Sequence, residues 1–462
     1  MLFNSYPFLL AFLPAVTAAY FLVPNHRVRL LVIVGASYYF YAYADWWFPA
    51  LMAGSTVISY TAGRLLESEW TMSHRKLVLV VGITGVLGLL AVFKYASFAA
   101  GYGTDVIHAI TTVDFPGLRA FTNGIVLPIG ISFYTFEGIS YMVDVYRGDL
   151  RPERDPLRYA FFISFFPHLI AGPIVRYAKL QPQLLVKHPW DPERVVSGLL
   201  LFTMGLAKKT LLADGLARYV DRYLGDPGSL GFWTAWAAVI GFGFQIYFDF
   251  SAYSDMALGL ARIFGIELPW NFDRPYRAAS PTEFWRRWHV TLSTWLRDYL
   301  YIPLGGNRKG ERRRDLNLLI TMALGGLWHG ASFTFMGWGL YHGTLLVGTH
   351  HARRLRYRPP HVVAVLVTFL LVTIGWVLFR MHTAAQARDV YAAMAGANGF
   401  GDIPGHLVLY LVVSSAIMWG LPEEWRWSYA RWGYLRIAAA AVLFAVAASS
   451  VASARPFIYF RF

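Results

Sequence analysis

Cysteine is absent from the 462 residues. Its absence excludes a cysteine acyl-enzyme, a thiolate metal site and any intrachain disulfide, and leaves no cysteine usage from which to read a redox compartment. Charge is scarce as well, at 15% of residues against about 25% in soluble domains. No G-x-x-x-x-G-K-[ST] loop and no G-x-S-x-G elbow occurs, so nucleotide-driven transport and a serine-elbow hydrolase find no support. The histidines lack metal-ligand spacing: His350 and His351 are adjacent rather than four apart, and His329 and His342 are distant along the run that holds them. Internal repeats, low-complexity tracts and Ser-rich linkers are also missing, and the chain reads as a single membrane-embedded domain over 1–462. Met1-Leu2-Phe3-Asn4 has no basic n-region, so the first apolar run is expected to remain as a helix rather than be cleaved as a signal peptide.

What is present is apolar and aromatic: 56% of residues are hydrophobic and 17% aromatic. Apolar runs fall at 7–23, 28–44, 46–64, 77–97, 122–142, 157–175, 195–213, 232–264, 316–348, 361–380, 406–421 and 435–453. The pattern is that of an all-α polytopic membrane protein with about ten or eleven spans. Pro128, Gly130, Pro167, Gly172 and Pro173 mark two of the runs as re-entrant or kinked. The net charge of +14 does not point to nucleic acid, because the basic residues fall in short loops where an inner-leaflet lipid surface accounts for them. Asn25-His26-Arg27-Val28-Arg29 and the 64–76 loop are basic and Ala44-Asp45-Trp46 is not, which predicts an N-terminus outside.

Trp328-His329-Gly330 stands inside the glycine-rich run 316–348. As one helix the run would be roughly 50 Å long at 1.5 Å per residue, more than a hydrocarbon core of about 30 Å. A break is expected, bracketed by Gly325, Gly326 and Gly330, with His329 near mid-membrane beside irregular backbone. A polar side chain is costly there, and irregular backbone is tolerated only against protein or a cavity, so proton transfer outweighs mere packing for His329.

The stretch 271–315 has no spanning run. Ser280-Pro281-Thr282-Glu283 predicts a capped helix start. Continued at about 100° per residue, that helix gathers Trp285, Trp288, Leu292, Trp295, Leu296 and Tyr299 on one face, with His289 among them. It is expected to lie in the cytoplasmic interface, with His289 open between a packing and a catalytic role. Asp249, Ser251, Ser254 and Asp255 form a polar island in an apolar run. The favoured reading there is a buried tie to an arginine such as Arg262 or Arg286, with a supporting role toward a histidine left open.

Phe284-Trp285-Arg286-Arg287-Trp288-His289 through Pro303-Leu304-Gly305-Gly306-Asn307 resembles a signature of membrane-bound O-acyltransferases, nearest the bacterial alginate O-acetyltransferase branch. Gly325-Gly326-Leu327-Trp328-His329-Gly330 resembles the second signature and puts the family's invariant histidine at His329. Further likenesses are Leu127 to Tyr134, Ala171 to Ile174, Tyr247 to Ser251 and Pro456-Phe457-Ile458-Tyr459-Phe460. The resemblance implies a ring of tilted helices around a funnel, with a tunnel joining the two faces of a bacterial inner membrane. It implies that an acyl group, acetyl in this branch, leaves a cytoplasmic thioester (acetyl-coenzyme A or an acyl carrier) for an extracytoplasmic polysaccharide, through an SGNH-hydrolase-like partner. No bound cofactor or metal is implied. His329 is then the general base or a positioner of the acyl carbonyl. His289 lies near the entering thioester, with Asp249, Ser251, Asp255, Trp288 and Trp328 in support. Arg286, Arg287, Arg308 and Lys309 are candidates for donor phosphates, and plain positive-inside topology explains the same charges equally well. A transporter or lipid flippase without covalent chemistry is the rival reading; it predicts inverted repeats, which the sequence lacks.

Overall fold

The computed structural model of the chain describes residues 1–67, 73–111, 117, 121–122, 124–354, 359–403, 405–421, 433–453 and 455–461. Every regular element among these is helical. They form two compact units, Met1–Pro192 with Ala261–Leu268, and Glu193–Leu260 with Pro269–Phe462.

The first unit holds α1 (Leu13–Leu22), α2 (His26–Ala42), α3 (Phe48–Leu65), α4 (Arg75–Thr111), α5 (Ile131–Arg147) and α6 (Pro156–Ser164). Asn25 starts α2 by accepting the Arg27 and Val28 amides at 2.8 and 3.2 Å. Arg29, expected in a basic surface loop, is instead buried and donates to the carbonyls of Phe21, Val23 and His188 at 3.2, 2.6 and 2.6 Å. It neutralises the open end of α1, which is why this charge turns inward. The middle of the expected 64–76 loop, 68–72, lies outside the described residues. Small residues bring α3, α4 and α5 together: a Cβ at Gly63 would sit 2.4 Å from the Tyr141 ring, and one at Gly82 2.7 Å from Met142 Sδ. Gly130, at φ +85°, makes the turn into α5, so irregular backbone precedes the helix in the 122–142 run.

Ahead of α6, Glu153 is 3% exposed. Its Oε1 accepts the amides of Arg154 and Asp155 at 2.8 and 2.7 Å and the Arg158 guanidinium at 3.0 Å, while the Tyr177 hydroxyl donates to Oε2. Burial pushes this carboxyl up, and the Tyr177, backbone and Arg158 bonds together outweigh it, leaving it below its ordinary 4.5.

The second unit holds α7 (Pro192–Ala207), which runs on through Lys208–Ala213 into Asp214–Leu224, then α8 (Phe232–Ile263), α9 (Pro281–Arg287) and α10 (Val290–Leu296). After these come α11 (Glu311–His329), α12 (Phe333–Ala352), α13 (His361–Arg380), α14 (Ala384–Met394), α15 (Gly405–Gly420) and α16 (Tyr434–Ser449). α7 and α8 touch backbone to backbone, since a Cβ at Gly205 would lie 2.6 Å from the Ala252 carbonyl oxygen.

Two expectations are corrected. The break expected in 316–348 is present, but as a hairpin of α11 and α12 whose turn lies at the C-terminal edge of the expected bracket. The break falls at Gly330 to Ser332, where Ser332 caps α12 by accepting the Phe335 amide at 3.3 Å. Gly325 and Gly326 remain helical; a Cβ at Gly326 would lie 2.2 Å from the Phe335 carbonyl oxygen, so that glycine serves close packing instead of the break. His329 is therefore the last residue of α11, at the turn. The second correction concerns 281–299, which is not one helix. Ser280 caps α9 as expected, accepting the Glu283 amide at 3.2 Å, but Glu283 reaches back to the Ala279 amide rather than to that of Ser280. The helix stops at Arg287 because the neighbouring 271–273 segment takes over its hydrogen bonds. The Asp273 amide donates to the Arg287 carbonyl, and the Val290 amide to the Asn271 carbonyl, both at 2.9 Å.

Among the described residues three helices are long and apolar enough to cross a membrane: Arg75–Asp105, Pro192–Leu224 and His361–Arg380. Pro7–Leu22, Gly405–Gly420 and Tyr434–Ser449 are shorter apolar helices.

Candidate active site

The α9–α10 break carries His289 at φ 41° and ψ 57°, a left-handed conformation that L side chains adopt at a cost of about 1–3 kcal/mol. The histidine is fully buried. Its Nδ1 faces Asn271 Oδ1 at a long 3.3 Å. That oxygen also accepts the Thr291 hydroxyl at 2.6 Å, while Asn271 Nδ2 donates to Ser254 Oγ at 2.9 Å. The Thr291 backbone amide, which can only donate, also points at Oδ1 at 3.4 Å and sets the amide orientation, and an accepting Oδ1 requires the proton to sit on His289 Nδ1. Nε2 is then the basic nitrogen. It is buried and has no hydrogen-bond partner among the described residues. That nitrogen is therefore placed to accept a hydrogen bond from a bound water or substrate.

His329 is 5% exposed, and aromatic rings surround it. Centroid distances are 4.9 Å to Trp328, 5.2 Å to Trp338, 5.3 Å to Phe379 and 5.5 Å to Tyr459. Trp328 also meets His289 at 6.2 Å, so one indole touches both imidazoles. Phe250 closes the far side of His289 at 4.7 Å. Trp288 sits behind the break, stacked on Phe284 at 5.5 Å and against Trp376 at 5.0 Å.

The polar island is paired with lysines, not with the expected arginines. Lys209 bridges Asp249 at 3.0 Å and Asp214 at 2.7 Å. Lys208 pairs with Asp255 and donates to Ser251 Oγ at 3.3 Å. Arg262 pairs instead with Glu267, and Arg286 is exposed. The lysines win because they lie on α7, the helix packed against α8, and a buried carboxylate takes the nearest cation. Lys208, Ser251, Ser254, Asp255, Asn271 and Arg274 line one hollow, which connects this ion pair to the residue that holds His289.

The four candidate donor contacts do not act alike. Arg287 is held by Glu283 at 2.7 Å, whereas Arg286, Arg308 and Lys309 are exposed. Asn271, Lys208 and Lys209 carry no role in the sequence reading, and Tyr459 enters it only as part of the 456–460 likeness. The first three have a legible signal, a polar residue inside or next to an apolar run. The place of Tyr459 depends on tertiary structure.

Two buried imidazoles against one indole, with the Nε2 of His289 open, make a centre suited to moving a proton onto or off a hydroxyl or thiol. The model of the membrane-bound O-acyltransferase family matches residues 153–383, a range that contains both histidines. A probable alginate O-acetylase of Azotobacter vinelandii is 44% identical over 412 residues, covering 87% of this chain and 79% of its own. The chain belongs to the membrane-bound O-acyltransferase family. A peptidoglycan O-acetyltransferase of Helicobacter pylori is 36% identical across 86% of this chain and 80% of its own. A teichoic acid D-alanyltransferase of Bacillus subtilis is 26% identical across 54% and 68%. The protein is thus an integral membrane acyltransferase, and its long apolar helices agree with that.

Proposed function

We propose that this acyltransferase moves an acetyl group from a cytoplasmic thioester to a hydroxyl of an extracytoplasmic glycan, with an SGNH-type partner completing the transfer. The observation that carries the reading is the pair His289 and His329 on the shared Trp328, in a chain of this family. Relatives named for alginate and peptidoglycan O-acetylation support acetyl as the group and a cell-envelope glycan as the acceptor. In this account the ring of about ten or eleven spans forms one membrane domain in the inner membrane, with the N-terminus outside.

The step balances within the site. A hydroxyl oxygen of the SGNH-type partner, which then passes the group to the glycan, attacks the thioester carbonyl carbon; the C–O bond forms and the C–S bond breaks. His329 takes the hydroxyl proton and returns it to the departing thiolate. His289 Nε2, a fixed acceptor, takes a hydrogen bond from the amide N–H that a pantetheine arm carries close to its sulfur. Asn271 holds that imidazole in the needed tautomer. Arg286, Arg308 and Lys309 are available to the phosphates of the donor.

The test is made in the native host. Deleting the gene should remove base-labile acetyl esters from one envelope glycan, and the wild-type gene should restore them. His329→Ala should insert and fold without restoring them. Near-normal acetylation by that variant would overturn the reading.

A further inference from the structure

Pro456-Phe457-Ile458-Tyr459 takes no part in the reaction just described, yet it enters the site. Its backbone is moored by two carboxylates. The Ile458 amide donates to Asp249 Oδ2 at 2.8 Å and the Arg455 amide to Asp214 Oδ2 at 3.3 Å. Both carboxylates are held in turn by Lys209. The Arg455 guanidinium reaches Asp221, which Arg380 of α13 also meets at 3.1 Å. Phe457 is buried against Tyr253 at 5.0 Å and stacks on Tyr459 at 5.3 Å and 16°. The Tyr459 ring then lies 5.5 Å from His329 and 4.7 Å from Phe250, the ring that packs on His289.

The rings around His329 are the walls that the alkyl end of an acyl group held beside that imidazole would meet. Trp328, Trp338 and Phe379 belong to α11, α12 and α13, and these helices fix them. Tyr459 alone of the four stands on a strap outside the long helices, held by backbone bonds to Asp249 and Asp214. We propose that Tyr459 is the wall that restricts the transferred acyl group to short chains. The inference rests on the acyl-transfer reading above and adds its size filter. One methylene too many against a packed apolar wall costs about ten-fold or more in rate, so butyryl should be strongly disfavoured against acetyl. The mooring uses backbone amides, so truncating the side chain leaves the strap in place.

Membranes carrying the wild type or a variant are given equimolar acetyl- and butyryl-coenzyme A, with the same pair loaded on an acyl carrier protein in parallel. Glycan-bound esters are released by mild base and their ratio is measured by mass spectrometry. Tyr459→Ala should raise the butyryl-to-acetyl ratio about ten-fold or more, and Tyr459→Phe should leave it unchanged. A fold defect lowers both products together and does not move the ratio. An active Tyr459→Ala with the wild-type ratio overturns the proposal. If Tyr459→Ala is inactive, Tyr459→Leu decides: a raised ratio supports the wall, while an unchanged ratio or loss of both products overturns it. A wild type that transfers neither group from either donor would instead overturn the function on which the inference rests.

Discussion

Glu153 in the first unit and His289 in the second are both buried, but their hydrogen bonding differs. Glu153 receives two amides, a guanidinium and a phenol, and neither of its oxygens is left over. His289 has one long bond, to Asn271, and its other nitrogen faces no partner among the described residues. Glu153 lies ahead of a regular helix start, whereas His289 sits on left-handed backbone that breaks a helix. Burial alone therefore does not identify a site. A polar group completed by its surroundings holds the fold. One left incomplete on strained backbone is a candidate for a reacting group, because an orphaned buried atom costs about 1–3 kcal/mol that packing does not return.

Substitutions can break this contrast. The largest effect is expected at His329→Ala, with acyl transfer per folded molecule falling about 10²–10⁴-fold, as for loss of a general base. His289→Gln should follow, with a loss of about 10²-fold and little change in melting temperature. Melting curves of detergent-purified protein beside transfer rates separate the two effects. Asn271→Ala removes the orienting oxygen and should slow transfer about three- to ten-fold, the worth of one hydrogen bond.

Glu153→Gln should do the reverse, lowering the melting temperature while leaving transfer per folded molecule near wild type. Hydrogen bonds to a charged group contribute about 1.5–3 kcal/mol, so several degrees are at stake. Its pH dependence has a definite sign. The folded carboxyl lies below its ordinary 4.5, so the stabilisation is complete above that value and is lost as pH falls through the folded one. The melting temperature of the wild type should drop over that acid range, and Glu153→Gln should flatten the drop. The smallest effect is expected at Arg286→Gln, Arg308→Gln and Lys309→Gln taken singly, a few-fold change in donor dependence measured against donor concentration in proteoliposomes. Arg287→Gln should instead show itself in stability, since Glu283 already holds that side chain.

Much of this was legible in the sequence. The Trp328-His329-Gly330 motif, the capped start at Ser280 and the break within 316–348 can all be read from residue order. The hairpin was not, because it depends on Gly326 and Gly339 meeting backbone on the opposite helix, a contact that periodicity does not encode. Nor was the break at His289 legible. Local pattern favours one continuous helix there, and hydrogen bonds from 271–273 override it. Asp249 and Asp255 were visible as buried acids, but Lys208 and Lys209, some forty residues earlier, become their partners only once α7 and α8 are packed.

The central claim is that the open nitrogen of His289 and the ring-enclosed His329 belong to one reacting centre. A double-mutant cycle on acyl transfer tests it most directly, comparing His289→Gln, His329→Ala and the pair, each corrected for the folded fraction. Residues that act in one step are strongly non-additive, so the double variant should be scarcely slower than His329→Ala alone. Losses that multiply would contradict the account, because they would mean that the two histidines work independently and that Trp328 joins them only by packing.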